Sequence, residues 1–330
     1  MGTLGADPRL GIFCTLDHHE ADGLSPRERL RAALDEAAEA DGLGLDSFWV
    51  AEHHFAPYGL AADPAVLLGA AAERTARLRL GTAMAVLPFH HPVRAAETFA
   101  LLDQISGGRL EFGVGSGYLQ YEFEGFGVDP EERRSRFDEC LAVIRAAWGG
   151  GPIRHAGIHF RIDAPALPVL PAQPGGPPIH VGVTRPEAAP FVGRLGLALA
   201  TVPYIRMRSL GELAETVAAY RQELPADAAG GVTVAVHAFC AAGPGDPALR
   251  RAERALDLYL RTRVVPGARY AGGAPCPDFV LFGEPEAVRE GMERLAGAGA
   301  DRVLAITTFG GLPRADATSS LGRLARCLRP

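Results

Sequence analysis

Short apolar runs alternate with helix-forming segments along the whole chain, and this alternation limits the possible folds more than any other feature. The apolar runs include Leu110–Gly115, Ile179–Val183 and Val232–Ala241, and segments such as Pro285–Gly297 place apolar residues at helical spacing. A run that is apolar on both faces is typical of a parallel strand covered by helices. The pattern therefore predicts an α/β protein with a parallel sheet.

About eight β/α units fit into the 330 residues, and eight is the number that closes a (β/α)₈ TIM barrel. The alternative is an open doubly wound sheet, which would carry a Gly-x-Gly-x-x-Gly turn near the start, and the chain has none there. We predict a barrel that forms a single domain over residues 1–330. Stretches rich in Gly, Pro or aromatic residues predict loop insertions near 118–135, 149–178 and 266–283.

Composition excludes several classes of function. All 33 basic residues are arginine, so the chain lacks the lysine that Schiff-base, pyridoxal-phosphate and Walker-A enzymes need. The net charge is -6 and the basic residues do not cluster along the sequence, which argues against nucleic-acid binding. The five cysteines are scattered without a Cys-x-x-Cys pair, and no apolar run has membrane-spanning length. We expect a cytoplasmic protein with reduced thiols that binds neither a metal nor a membrane.

One predicted strand ends in titratable side chains. Residues 51–55 read Ala-Glu-His-His-Phe, so Glu52, His53 and His54 follow the strand directly. The C-terminal ends of barrel strands are where catalytic groups lie. Alternation along a strand would send His53 one way and Glu52 with His54 the other, so two adjacent imidazoles are a poor metal site. From spacing alone, a catalytic cluster and a structural hydrogen-bonded cluster are equally good interpretations.

Residues 81–117 carry two further motifs. The first reads Gly-Thr-Ala-Met-Ala-Val-Leu-Pro-Phe-His-His-Pro-Val-Arg from residue 81, and the second reads Leu-Asp-Gln-Ile-Ser-Gly-Gly-Arg-Leu-Glu-Phe-Gly-Val-Gly-Ser-Gly from residue 102. Glycines at the end of a strand allow a flat or phosphorylated ligand to approach the backbone. Together with Ala-Glu-His-His-Phe, in this order and spacing, the motifs resemble the bacterial luciferase-like family of flavin-dependent monooxygenases.

The resemblance implies a modified TIM barrel that uses reduced FMN and O₂ to oxygenate a small organic substrate through a flavin hydroperoxide. A separate NAD(P)H flavin reductase would supply the reduced flavin, because no second dinucleotide motif is visible. The resemblance also implies a homodimer. Two other functions stay open at this point: a deazaflavin-dependent dehydrogenase on the same barrel, and a flavin-binding protein without catalytic activity.

Site residues follow from the resemblance, position by position. His53 would be the acid/base beside the flavin, with Glu52 and His54 orienting it. The Ala83-Met84 bond would be a non-prolyl cis peptide against the flavin ring. The remaining candidates would bind the cofactor, namely Gly115, Ser116, Gly117, Thr184 and Arg185, or line a substrate pocket, namely Phe55, Tyr118 and Phe309. At position 116 many relatives have arginine, so we expect Arg185 to supply the positive charge for the phosphate.

Overall fold

The computed structural model of the chain describes residues 8–19, 23–57, 59–262 and 277–327. Its strands are β1 (Arg9–Cys14), β2 (Ser47–Val50), β3 (Arg79–Thr82), β4 (Ala85–Val86), β5 (Leu110–Gly115), β6 (Ile153–Ala156), β7 (Arg161–Ala164), β8 (Ile179–Val183), β9 (Ala198–Thr201), β10 (Val232–Cys240), β11 (Val280–Gly283) and β12 (Arg302–Ile306). Eight of them form a closed parallel ring in the order β1-β2-β3-β5-β8-β9-β10-β12. The predicted (β/α)₈ barrel is confirmed.

Helices follow the ring strands and cover the outside of the barrel. They are α1 (Pro26–Gly42), α2 (Pro64–Ala72), α3 (Pro92–Ile105), α4 (Gln120–Phe126), α5 (Arg133–Trp148), α6 (Ala189–Arg194), α7 (Leu210–Glu223), α8 (Pro247–Thr262), α9 (Pro285–Gly297) and α10 (Arg314–Cys327). Several begin at proline, which suits the first helical position because its fixed φ is helical and its missing N–H would have no partner there. Within the described ranges, no helix is long and apolar enough to cross a membrane.

The three predicted insertions differ in what they contain. Residues 118–135 are mostly helical: α4 occupies seven of them, and a 3₁₀ turn at Pro130–Glu132 with the start of α5 occupies six more. Gly127, directly after α4, has a positive φ. Residues 149–178 hold the antiparallel hairpin of β6 and β7. Of the insertion at 266–283, residues 266–276 lie outside the described residues. The prediction of loop was wrong for its end: Val280–Gly283 is the strand β11, which pairs with the C-terminal half of β10.

A buried charged cluster closes the barrel at the N-terminal ends of its strands. Glu111 accepts hydrogen bonds from Arg302 at 3.2 Å, from Arg79 and from the His180 ring. Burial opposes ionisation of Glu111, but His180 and the two guanidinium groups hold the pKa of its carboxyl well below the usual range. We call Glu111, His180, Arg302 and the adjacent Trp49 the barrel floor.

Trp49 fills the floor because the neighbouring strand has a glycine opposite it. A Cβ atom at Gly81 would lie 2.1 Å from the Trp49 ring, so no larger residue fits without displacing the indole. The ring also packs edge-on to His180, at 5.0 Å between centroids, and lies 5.5 Å from the Arg302 guanidinium. These side chains fill the interior of the barrel at the N-terminal ends of its strands.

Candidate active site

A cavity of about 940 Å³, including its open mouth, lies at the C-terminal ends of the strands. Each ring strand, or the segment directly after it, contributes to its wall. Nine of the residues predicted from the sequence border it, namely Glu52, His53, Ala83, Met84, Gly115, Ser116, Gly117, Tyr118 and Thr184. The wall also includes residues that the sequence did not single out, among them Phe13, Val86, Glu122, Thr201, Thr233 and Leu304.

His53 is held by a carboxylate from α4. Its Nδ1 lies 3.1 Å from Oε1 of Glu122, and the same oxygen accepts a hydrogen bond of 3.0 Å from the backbone N–H of His54. Both side chains are buried. A carboxylate beside Nδ1 favours the tautomer with its proton there, so Nε2 is the basic nitrogen of the ring. The Tyr118 ring stands edge-on to the imidazole, with 6.3 Å between centroids.

Glu52 is the centre of a second hydrogen-bonded group. Its carboxylate lies 3.1 Å from Nε2 of His54 and 3.1 Å from Nε2 of His90, and it accepts a bond of 3.1 Å from the N–H of Val86. Burial opposes ionisation of Glu52, but these hydrogen bonds lower the pKa of its carboxyl. Burial alone would lower the pKa of His90, but its hydrogen bond and charge interaction with the Glu52 carboxylate raise it. When His90 is protonated, it forms an ion pair with Glu52, which borders the cavity.

The peptide bond between Ala83 and Met84 is cis, as predicted, and both residues border the cavity. Glycines make room for the chain here. A Cβ atom at Gly113 would lie 1.9 Å from the Thr82 carbonyl oxygen, and one at Gly182 would lie 2.7 Å from Cγ of Met84. Gly113 of the Gly-Val-Gly motif thus accommodates the neighbouring strand, which is a different role from the close approach of a ligand that we predicted for these glycines.

Hydroxyl and backbone groups form the part of the wall that we predicted to bind phosphate. Ser116, Gly117 and Thr184 border the cavity there. Arg185 does not: the strand β8 has ended at Val183, and the arginine side chain is exposed beside Thr184. Among the described residues, the cavity wall includes no arginine.

One hydroxyl in the wall has no protein partner. Thr201, at the end of β9, is 4% exposed, borders the cavity, and its Oγ1 makes no hydrogen bond within the described part of the chain. A buried hydroxyl without a partner costs about 1–3 kcal/mol. A ligand with a polar atom at this position would therefore gain a hydrogen bond that the protein leaves unmade.

Three further predicted residues lie elsewhere. His54 packs between the Phe89 and Phe126 rings, 5.8 and 4.6 Å away, and contacts the site through Glu52 and, by its backbone N–H, through Glu122. Phe55 was predicted to line a substrate pocket, but its positive φ of 59° turns the ring outward onto Phe126, and it is 65% exposed.

Phe309 was also predicted wrongly to line the substrate pocket. Its ring is buried, stacked on Phe282 at 5.9 Å and edge-on to His237 at 5.0 Å. It borders a second cavity, between α1 and α10, whose wall also includes Arg29 and Glu36. No group of three or more His, Cys, Asp or Glu side chains within the described ranges could hold a metal ion.

Comparison with known proteins confirms the family resemblance that the sequence motifs indicated. The profile of a family described as luciferase-like monooxygenase matches residues 9–302. The chain belongs to this family. A 4-hydroxyprotoasukamycin monooxygenase of Streptomyces nodosus subsp. asukaensis is 35% identical over 53% of the chain, and a flavin-dependent trigonelline monooxygenase, oxygenase component, of Acinetobacter baylyi is 30% identical over 54%. These matches span 48% and 51% of the relatives, about half of their length.

Three solved structures match over almost the whole chain. The monooxygenase RslO1 from Streptomyces bottropensis superposes with a TM-score of 0.87 at 27% identity, covering 97% of this chain and 98% of its own. The oxygenating constituent of 3,6-diketocamphane monooxygenase from Pseudomonas putida, in complex with FMN, gives 0.82 at 20% identity, with 97% of each chain covered. An F420-dependent secondary alcohol dehydrogenase gives 0.73 at 18%, covering 98% of this chain and 100% of its own. The last two show a shared fold.

Proposed function

We propose that the protein is a flavin-dependent monooxygenase that uses reduced FMN and O₂ to oxygenate a small organic substrate. The observation that carries the proposal is the grouping of His53, Glu122 and the Ala83-Met84 peptide at one cavity in the barrel mouth. The names of related monooxygenases support the reaction type. One relative is named an oxygenase component, which supports a separate NAD(P)H flavin reductase as the source of reduced flavin.

The residues around the cavity suit a flavin. The Oγ1 of Thr201, which has no partner among the described residues, would bind a polar atom of the ligand, and Met84 adds an apolar side chain to the cavity wall. Ser116 and Thr184 offer hydroxyls to the phosphate, and Arg185 would have to turn from solvent to add charge. Reduced flavin and O₂ together supply the oxygen atom and the electrons of the reaction.

The chain itself would hold the reactants, exclude water and move one proton. His53 Nε2 is the atom at which a proton would be accepted and returned, because Glu122 occupies Nδ1. Glu122 would stabilise the charged imidazole while the proton resides there. Glu52 would keep the wall behind His53 rigid through His90 and Val86. Tyr118, 46% exposed at the mouth, lies where it would shield the cavity from water.

Oxygen labelling tests the proposal. Purified protein, FMN, NADH, a flavin reductase and a panel of small apolar substrates are incubated under ¹⁸O₂. We expect substrate-dependent product that contains ¹⁸O, formed only when the reductase is present, and strongly reduced in His53→Ala. Absence of FMN binding at micromolar concentration, or unchanged turnover in His53→Ala, would contradict the proposal.

A deazaflavin-dependent dehydrogenase is the second candidate, because an F420-dependent enzyme shares the fold. Parallel titration with FMN and F420, followed by fluorescence quenching, separates the two. Tighter binding of F420, with alcohol oxidation under anaerobic conditions, would favour the dehydrogenase. Binding of FMN without turnover of any substrate in the panel would favour a flavin-binding protein.

We further propose that the protein is a cytoplasmic homodimer. Apolar side chains are exposed on one surface formed by α3 and the segment beside it, namely Leu101, Ile105, Val169 and Leu170. Nε2 of Gln104 in α3 donates a hydrogen bond of 2.9 Å to the carbonyl oxygen of Leu170 in the neighbouring segment. We call these four residues the α3 patch. A second copy of the chain would remove this apolar surface from water.

A further inference from the structure

Two of the cysteines, neither of which borders the cavity, lie where the last helix packs against β10. Cys240 is the last residue of β10, and Cys327 is the last residue of α10, the closing helix. They are 87 positions apart in the sequence, yet each thiol lies close enough to shift the pKa of the other. Cys240 is fully buried and Cys327 is partly exposed, so one member of the pair can be reached from solvent.

Contacts beside the two thiols hold α10 against the end of β10. The backbone N–H of Cys240 donates to Oγ of Ser320 at 2.8 Å, and Nε of Arg323 donates to the Cys240 carbonyl oxygen at 2.7 Å. Ser320, Arg323 and Cys327 are spaced by three and four residues, so they lie on one face of the helix. Cys327 therefore lies on the face of α10 that already contacts both the backbone N–H and the carbonyl oxygen of Cys240.

The environment of Cys327 favours its thiolate. The hydrogen bond with Cys240, with help from Arg289 and Arg326, lowers the pKa of the Cys327 thiol to about 7. The same interaction, together with burial, raises the pKa of Cys240. Thiolates react with peroxides, whereas buried thiols with raised pKa values are inert until a partner is oxidised.

We propose that Cys240 and Cys327 form a reversible redox pair, in which hydrogen peroxide oxidises Cys327 and Cys240 then closes a disulfide. This modification site is independent of the barrel cavity and of the proposed oxygenase activity.

The reaction takes two balanced steps. The Cys327 thiolate attacks one oxygen of the peroxide, the O–O bond breaks, and the released hydroxide takes a proton to become water. The Cys240 sulfur then attacks the sulfur of the Cys327 sulfenic acid, the S–O bond breaks, and the leaving hydroxyl takes the Cys240 proton. Two thiols and one peroxide thus become one disulfide and two waters, a two-electron oxidation.

Closing the disulfide would tie the C-terminal helix to the barrel wall. The bond encloses the chain from β10 to α10, including α8, α9, β11 and β12. Crosslinks over long loops restrict the unfolded chain and raise stability. Oxidation should therefore protect the last third of the barrel against unfolding. Disulfides in reducing compartments are generally transient and redox-sensing.

Mass spectrometry of the full chain tests the pair. Protein is reduced, freed of reductant, treated with hydrogen peroxide and quenched. We expect the denatured thiol count to fall from five to three, the intact mass to fall by two hydrogen atoms, and a proteolytic fragment to join Cys240 to Cys327. Dithiothreitol should restore all five thiols, and the thermal midpoint should be higher in the oxidised form.

Three variants make the result specific. Cys327→Ser should abolish the mass loss, and Cys240→Ser should leave Cys327 as a sulfenic acid that dimedone traps. Cys140→Ser is the matched control, because Cys140 is buried with its thiol bonded to the Leu87 carbonyl oxygen at 3.4 Å, and it should behave as wild type. Oxidised wild-type Cys327 without a crosslinked fragment, or a crosslink to any other cysteine, would overturn the proposal.

Discussion

Glu122 and His53 are 69 residues apart in the chain, and their side chains meet at 3.1 Å in the cavity wall. Glu122→Gln keeps the shape and an acceptor for the His54 N–H but removes the negative charge. Because a charged hydrogen bond contributes about 1.5–3 kcal/mol, we expect kcat/KM to fall about 10- to 100-fold.

The double variant shows whether Glu122 acts through the imidazole. If it does, His53→Ala with Glu122→Gln should be no slower than His53→Ala alone, since the second change removes support from a ring that is already gone. Losses that multiply in the double variant would instead show two independent contributions.

Thr201 allows a prediction in which two effects have opposite signs. Thr201→Val removes a buried hydroxyl that has no protein partner among the described residues, so the free protein should be as stable as wild type or slightly more stable. FMN affinity should fall about 5- to 10-fold, the loss of one hydrogen bond of about 1 kcal/mol or more. Fluorescence titration and urea unfolding measure the two effects, and Thr201→Ser should restore binding. Unchanged FMN affinity would show that the hydroxyl does not contact the flavin.

At this scale the sequence predicts residues within motifs and misses their partners. His53, Glu52 and the Ala83-Met84 bond border the cavity. They could be predicted because each belongs to a contiguous motif that is visible in the sequence. Glu122 lies in an unremarkable aromatic segment, and only the position of α4 brings it to His53. A carboxylate next to Phe123 in a short aromatic segment was the available signal, and it is weak because carboxylates are commonly exposed.

Packing between strands makes Gly81 a sensitive position. Gly81→Ala places a methyl group into the Trp49 ring at the barrel floor, and overpacking of this kind costs about 1–3 kcal/mol. Gly69→Ala on the outer side of α2 is the control, because its Cβ would have nothing within 4 Å, and alanine favours the helix by about 0.5–1 kcal/mol. Urea unfolding should give opposite signs for the two variants. A Gly81→Ala protein as stable as wild type would contradict the described packing.

The ion pair of Glu52 and His90 joins the end of β2 to the turn before α3, and its contribution depends on pH. The folded pKa of His90 is raised, so its stabilisation is fully present below the unfolded value of about 6.5 and is lost as pH rises through the folded pKa. The folded pKa of Glu52 is lowered, so its stabilisation is present above about 4.3 and is lost as pH falls through the folded value.

His90→Gln should therefore destabilise the protein most between these limits. We expect the free energy of unfolding to fall by about 1.5–3 kcal/mol at about pH 5.5, where a charged hydrogen bond is removed, and by less at about pH 9. Urea unfolding of both proteins at the two pH values measures the difference. A loss that grows with pH would contradict the pairing.

Elements were predictable where a chain segment carries its own signal. Leu110–Gly115, Ile179–Val183 and Pro285–Gly297 have the predicted boundaries, since apolar runs and an initial proline mark them locally. The helix α4 and the strand β11 were missed because each is short. Their conformation depends on contacts with distant residues, such as the pairing of β11 with β10.

For the whole molecule, the α3 patch predicts the state of assembly. Leu101→Glu combined with Ile105→Glu places two charges in the proposed interface, and we expect a dimer to become a monomer in light scattering, with the fold unchanged by circular dichroism. Ile158→Glu is the control, because Ile158 is 86% exposed at the tip of the β6–β7 hairpin, away from the patch. A wild-type monomer, or a double variant that remains dimeric, would rule out this interface.

The ion pairs and the indole of the barrel floor join strands at the end of the barrel opposite the mouth, and no residue of the mouth takes part in these contacts. Loops that shape the opening can be exchanged between relatives, or diversified in a library, without disturbing the foundation beneath them. Substrate preference should therefore be engineered in the loops around the cavity mouth. Glu111 and Arg302 are positions that such engineering should leave unchanged.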